Sequence, residues 1–167
     1  MNVQNFQLLA RYNSWATQRL KLILDQVSDE HFHQDCGLYF KSIFGTLNHL
    51  LLGEHLLWFA RFNHGHSPQI ALNAIIEQDR YELTRKLLQK SFHWHDYLAQ
   101  LDPQRLTELF HYQTANGQSV TLPFASTLIH VFNHATHHRG QVSAALTAMG
   151  YACPELDLIY MLQLEQL

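Results

Sequence analysis

The sequence predicts an all-α fold: a four-helix bundle with a short β-hairpin before the fourth helix and a short C-terminal helix. Three observations carry that expectation. Four long stretches repeat apolar residues at spacings of three and four, which is the period of a helix with one buried face. A single Asn-Gly turn signal separates two extended runs. The chain has 167 residues, a length that suits one domain over 1–167 with one sizeable core.

The first helix is expected over residues 3–27, where Phe6, Leu9, Asn13, Ala16, Leu20, Ile23 and Val27 form one stripe. Asn13 places an amide inside it. Ser28-Asp29 reads as a break. HFHQDCGLYF (31–40) has no helical period and contains Gly37, so it reads as a loop or short extended piece. A second helix is expected from Ser42 to Phe62. One seam holds Phe44, Leu47, Leu51 and Trp58; a second holds His49, Leu52, Leu56 and Phe59, so the helix is packed on two sides. NHGHSPQ (63–69) is a loop closed by Pro68. A third helix is expected from Ala71 to Leu101, with Leu72, Ile76, Leu83, Leu87, Trp94 and Leu98 inward, ended by Asp102-Pro103. In LFHYQTANGQSVTLPF (109–124), Asn116-Gly117 suits the positive φ of a type I′ turn and predicts a hairpin. The fourth helix is expected from Ala125 to Met149, stopped by Gly150. Pro154 is expected in the first turn of a last helix ending at Leu164.

The bulk composition narrows the function. With 47% hydrophobic and 15% charged residues the chain should fold. A formal net charge of −3 and the lack of a basic run argue against nucleic acid and anionic membrane as partners. No apolar stretch is long enough to span a bilayer. The N-terminal MNVQNFQLLARYNSW lacks the pattern of a secretory signal. Cys36 and Cys153 are too few for a disulfide framework, and a reducing cytoplasm is the expected location. The oddity is histidine: 13 of them, against 11 lysines and arginines together.

Three of these fall in VFNHATHHRGQVSAAL (131–146), otherwise a buried-helix pattern. On a helical wheel with His134 at zero, the apolar residues Leu128, Val131, Ala135, Val142, Ala145, Leu146 and Met149 fall between roughly +20° and +120°. His138 falls inside that sector and His134 on its edge, whereas His130 and His137 lie on the flank. His134 and His138 are one turn apart on one face, where two imidazoles can hold one metal. His49 lies mid-way along the second helix. If its face meets the fourth helix, three imidazoles converge, which is the donor set of a catalytic site with an open position. An ordinary core role for these histidines stays open at this point. Asn13, Glu54 and Gln141 are candidates for the groups around such a site, Gln141 falling close to the histidine pair on the wheel. His31, His33, His64, His66, His93, His95 and His111 read as surface histidines.

Four segments, ARYNSWATQRL (10–20), FGTLNHLLLGEHLLW (44–58), HVFNHATHHRGQVSAALTAMGY (130–151) and PELDLIYML (154–162), resemble the DinB/YfiT-like family of proposed metalloenzymes, bacterial proteins of the damage-inducible type. The resemblance spans nearly the whole chain. It implies a four-helix bundle that binds a divalent metal, nickel or zinc, through three histidines. Carried over by motif, these are His49, His134 and His138, the set the wheel selects, and His137 fills a variable slot. Family relatives include thiol-dependent S-transferases and isomerases. The resemblance therefore implies a low-molecular-weight thiol and an electrophile as partners, and it suggests a homodimer, for which Trp15 and Trp58 are the outer aromatic positions. Neither cysteine falls on a histidine face, so a nucleophile is expected to arrive with a ligand. Four readings follow: thiol transfer or thiol-assisted isomerisation, metal-activated hydrolysis, a non-catalytic metal-binding bundle in stress response, and a bundle with structural histidines.

Overall fold

Four rods run along the bundle in the computed structural model, which describes residues 1–166. The first is α1 (Val3–Leu24), opened by a reciprocal capping box between Asn2 and Asn5. A short helix α2 (Asp29–His33) follows, where the sequence suggested a loop; Ser28 caps it by accepting from the His31 amide at 3.2 Å. The second rod is continuous but not uniform: α3 (Ile43–Leu50), a π-helix (Leu51–Trp58) and α4 (Phe59–His64). The third rod is α5 (Arg80–Ser91) and α6 (His93–Ala99), and the fourth is α7 (Phe124–Ala148). A 3-10 turn (Pro103–Thr107) and the hairpin β1 (Leu109–Gln113) and β2 (Ser119–Pro123) join the third rod to the fourth. The last helix, α8 (Leu158–Leu164), lies against α1.

Helix α1 packs against α5, α6 and α7, and α3 packs against α5 and α7, so the bundle closes around two apolar clusters. One holds Leu20, Leu24, Phe32, Ile43, Leu47, Leu83, Val142 and Leu146. The other is aromatic, with Phe6, Phe62, Trp94, Phe110, Phe124 and Phe132. The hairpin belongs to the second cluster, because Phe110 stacks on Phe62 at 4.3 Å between ring centroids.

Four expectations are corrected. The third helix begins at Arg80, not Ala71, because Asp79 caps it through the Tyr81 and Glu82 amides at 2.9 and 2.8 Å. Leu72 accordingly points outward, 55% exposed, instead of into the core. The hairpin turn is not type I′. Among the described non-glycine residues only Lys41 has positive φ; Asn116 does not, and the φ of +79° falls on Gly117. The Gly117 amide bonds the Thr114 carbonyl at 2.9 Å, which makes a type I turn followed by a left-handed glycine. Pro154 lies in a non-helical segment ahead of α8 and not in its first turn. Finally, the second helix does not keep a 3.6-residue period, and the π segment changes which residues share its faces.

Candidate metal centre

The second and fourth rods meet at His49 and the His134–His138 pair. His134 Nε2 lies 3.2 Å from His49 Nε2 and 3.1 Å from His138 Nε2. Two of the three rings are oriented from behind. His49 Nδ1 donates to the Leu72 carbonyl at 2.9 Å. His138 Nδ1 donates to Gln141 Oε1 at 2.7 Å, one turn along α7. A carbonyl only accepts, so the proton of His49 sits on Nδ1 and its Nε2 presents a lone pair to the centre; the Gln141 oxygen fixes His138 the same way.

The segment that departs from helix is what supplies the Leu72 carbonyl. In a helix that oxygen would accept from the Ile76 amide four residues on. Here Asn48, fully buried, takes the Ile76 and Glu77 amides on its Oδ1 at 2.8 and 2.9 Å and donates to the Glu77 carbonyl at 3.1 Å. Asn48 thus pins residues 71–79 in an irregular path and leaves Leu72 free for His49. The Phe40 ring stacks on His49 at 3.9 Å and 18°. Gly45 permits this: a Cβ there would come within 2.1 Å of the Phe40 carbonyl oxygen.

All three rings resist protonation. Burial and the neighbouring imidazoles His138 and His49 push His134 down to about 3, burial brings His138 to about 4, and burial lowers His49. At neutral pH the rings are uncharged, the protonation state a metal requires. His134 Nδ1 is buried without a hydrogen-bond partner among the described residues. His49 and His138 both aim lone pairs at His134 Nε2, which has at most one proton to offer. The cluster is therefore short of positive charge at its centre. Nitrogens held 2.0–2.1 Å from one ion would be about 2.9–3.4 Å apart for coordination angles of about 90–110°. The two measured separations, 3.1 and 3.2 Å, fall in that range, so the three residues fit a divalent metal.

Of the other candidates, Gln141 touches the centre through His138. Asn13 and Glu54 do not bond the triad; they bond each other, and Arg139 donates to the Asn13 amide oxygen. Glu54 is fully desolvated. Burial raises its carboxyl to about 7 against the opposing pull of Arg139 and the Asn13 hydrogen bond. His55, buried beside it with Nε2 3.6 Å from the carboxylate, is pushed down to about 3 by burial and by the charges of Lys90, His93 and Arg139. Sequence reasoning missed His55 and Arg139. Arg139 could have been found on the same wheel, since it falls next to the apolar sector one residue after His138. His137 and His130 are exposed, as their shared flank position implied. His31 and His95 depart from the surface reading. They are half-buried, bonded to Tyr151 and Ser14 respectively. Cys36 and Cys153 are free thiols packed at the edge of the first apolar cluster, away from the triad's hydrogen bonds.

The DinB family model matches residues 1–166. The chain belongs to the DinB family. It is 30% identical over 157 residues to Protein DinB of Bacillus subtilis (strain 168), covering 89% of this chain and 88% of that protein. Its fold is similar to that of YfiT from Bacillus subtilis, a probable metal-dependent hydrolase with an unusual four-helix bundle topology, with a TM-score of 0.67, 15% identity and 91% of each chain covered. At that identity the likeness speaks for the fold, which this DinB-family chain shares. No helix among the described residues is long and apolar enough to cross a membrane.

Proposed function

We propose that this chain is a metal-dependent enzyme in which His49, His134 and His138 hold one divalent ion, zinc or nickel, and in which a low-molecular-weight thiol attacks an electrophile. The observation that carries the reading is the convergence of three neutral imidazole nitrogens, two with lone pairs fixed inward by Leu72 and Gln141. A metal there acts as a Lewis acid and lowers the pKa of a thiol or water that it binds. The protein's own part is positional. Leu72, held by Asn48, and Gln141 orient two rings, Phe40 covers His49, and Gly53 leaves space beside the nitrogens. No cysteine, serine or carboxylate among the described residues hydrogen-bonds the triad, which supports a nucleophile that arrives with a ligand.

Hydrolysis is the second reading, favoured by the same donor set, since three histidines serve an activated water as well as a thiol. Metal analysis of protein purified without a polyhistidine tag, followed by electrophile turnover with and without added thiol, separates them. Turnover that rises with thiol and saturates, unchanged in Cys36→Ala and Cys153→Ala, supports transfer. Full-rate hydrolysis without thiol overturns it in favour of the second reading. A two-fold homodimer is part of the proposal, with the exposed apolar residues Ile159, Tyr160 and Leu164 of α8 and the neighbouring Trp15 as its surface; Trp58 is left out of it, since that half-buried ring is already engaged by Tyr112, His130 and Arg61. Light scattering that reports only monomer at micromolar concentration would refute the dimer.

A further inference from the structure

The π-helix and α7 stay in contact beyond the triad, as far as Trp58 and His130. In a regular α-helix Trp58, nine residues after His49, would lie about 180° round the axis from it and face away from α7. The wider i→i+5 turns of Leu51–Trp58 carry less rotation per residue and bring Trp58 back to α7. There its ring meets His130 edge-on, with centroids 5.1 Å apart. His130 lies one turn before His134, ring centroids 5.5 Å apart, and so links that end of the contact to the triad.

Between the two levels the π-helix presents Gly53. A Cβ added there would meet only His134 Cε1 at 3.4 Å and His49 Nε2 at 3.9 Å, so the space beside the converging nitrogens is left unfilled. Beyond it, Trp58, Leu122, Pro123, Ser126, Thr127 and His130 line a cavity of about 350 Å³, a volume within the range of small-molecule sites. The lining carries no carboxylate, ammonium or guanidinium. The nearby Arg61 is already engaged: it sits 4.3 Å over Trp58 and 4.4 Å over Tyr112 and donates to Ser67 Oγ at 2.8 Å. The Thr127 hydroxyl is committed to the Pro123 carbonyl at 2.8 Å. What remains is an aromatic and aliphatic wall, suited to a flat ring and not to an ion.

We propose that this cavity is the subsite for a flat, uncharged aromatic group of the substrate, which reaches the His49, His134 and His138 nitrogens across the gap left by Gly53. The proposal rests on the metal-enzyme reading above. The other large cavities fit less well. One of about 570 Å³, at Tyr39, Phe40, Lys41 and Leu72, has the Phe40 ring between it and His49. Another of about 660 Å³, at Phe59, His93, Tyr97 and Arg105, shares no residue with the triad or its ring neighbours.

The test uses the cobalt-loaded full chain titrated with benzyl mercaptan and 2-mercaptoethanol, two thiols of similar acidity, with the cobalt absorption spectrum as readout. Benzyl mercaptan should bind at least tenfold more tightly. Trp58→Ala should remove that preference and leave 2-mercaptoethanol binding unchanged. Ser126→Trp, at an exposed rim position that fills the cavity without disturbing the core, should do the same and keeps the test available if Trp58→Ala does not fold. Gly53→Ala should weaken both thiols while cobalt stays bound. Equal affinity for the two thiols, a preference that survives both Trp58→Ala and Ser126→Trp, or one lost in Tyr39→Ala, would overturn the proposal while leaving the metal reading intact. Failure of cobalt to bind the wild-type chain would overturn the metal reading and this proposal with it.

Discussion

Glu54 offers a sharp test of the buried network, because removing its charge leaves its shape. Glu54→Gln keeps an oxygen for the Asn13 amide. In the folded wild type the carboxyl titrates at about 7, raised from 4.5 by burial. Between those two pH values the folded chain keeps a proton that the unfolded chain has released. Stability from this group is therefore full below pH 4.5 and is lost as pH rises towards 7, after which it stays constant. At about 1.4 kcal/mol per pH unit, the loss across that window is about 3 kcal/mol. His55 works in the opposite sense. Its folded value of about 3 lies below the ordinary imidazole value of 6.5, so its contribution is full above 6.5 and is lost as pH falls towards 3. Below pH 7 the folded Glu54 carboxyl keeps its proton and presents His55 with no charge, and above 6.5 His55 is neutral whether folded or unfolded, so the His55 effect is common to both proteins and cancels in their difference. Urea unfolding of wild type and Glu54→Gln at intervals from pH 5 to 8, with chelator present, gives that difference directly. Wild type should lose about 2 kcal/mol relative to Glu54→Gln between pH 5 and 7 and run parallel to it by about pH 8. A difference that is flat from pH 5 to 8 would refute the reasoning. It would mean that Arg139 and Asn13 hold Glu54 ionised throughout, their attraction exceeding the desolvation of the carboxylate.

Three further outcomes follow from the centre. His49→Ala, His134→Ala or His138→Ala should each remove most bound metal while exposed His137→Ala keeps it, as measured by metal content after dialysis; retention by His138→Ala with loss in His137→Ala would mean the wrong face of α7 holds the ion. Gln141→Ala, which takes the acceptor from His138 Nδ1, should lower metal affinity about 10- to 100-fold in a competition titration, and an unchanged affinity would remove Gln141 from the centre. Asn48→Ala deletes three hydrogen bonds to residues 76–77 and should destabilise the fold by about 1–3 kcal/mol in urea unfolding. It should also weaken metal binding, because the Leu72 carbonyl is no longer held against His49.

Local periodicity was enough for part of this protein. Apolar spacing sets the four rods, since each amphipathic stripe must be buried against another, and the four-histidine end of α7 sorts itself on a wheel into inward His134 and His138 and outward His130 and His137. His49 was legible too, as the one histidine in the second helix on an otherwise leucine face. What the chain does away from a regular period was not legible. A π turn carries no pattern of its own in a single sequence, so Trp58 was placed with the wrong neighbours. Only the packed rods show it against His130. Residues 71–79 carry an acceptable helical spacing, yet they leave the helix because the Asn48 side chain, from a different rod, offers their backbone better partners. Asn13 and Glu54 were legible as polar groups in apolar stripes. Which way they face depends on Arg139, three rods apart in sequence and adjacent in space, and burial in the assembled core is what raises the Glu54 carboxyl.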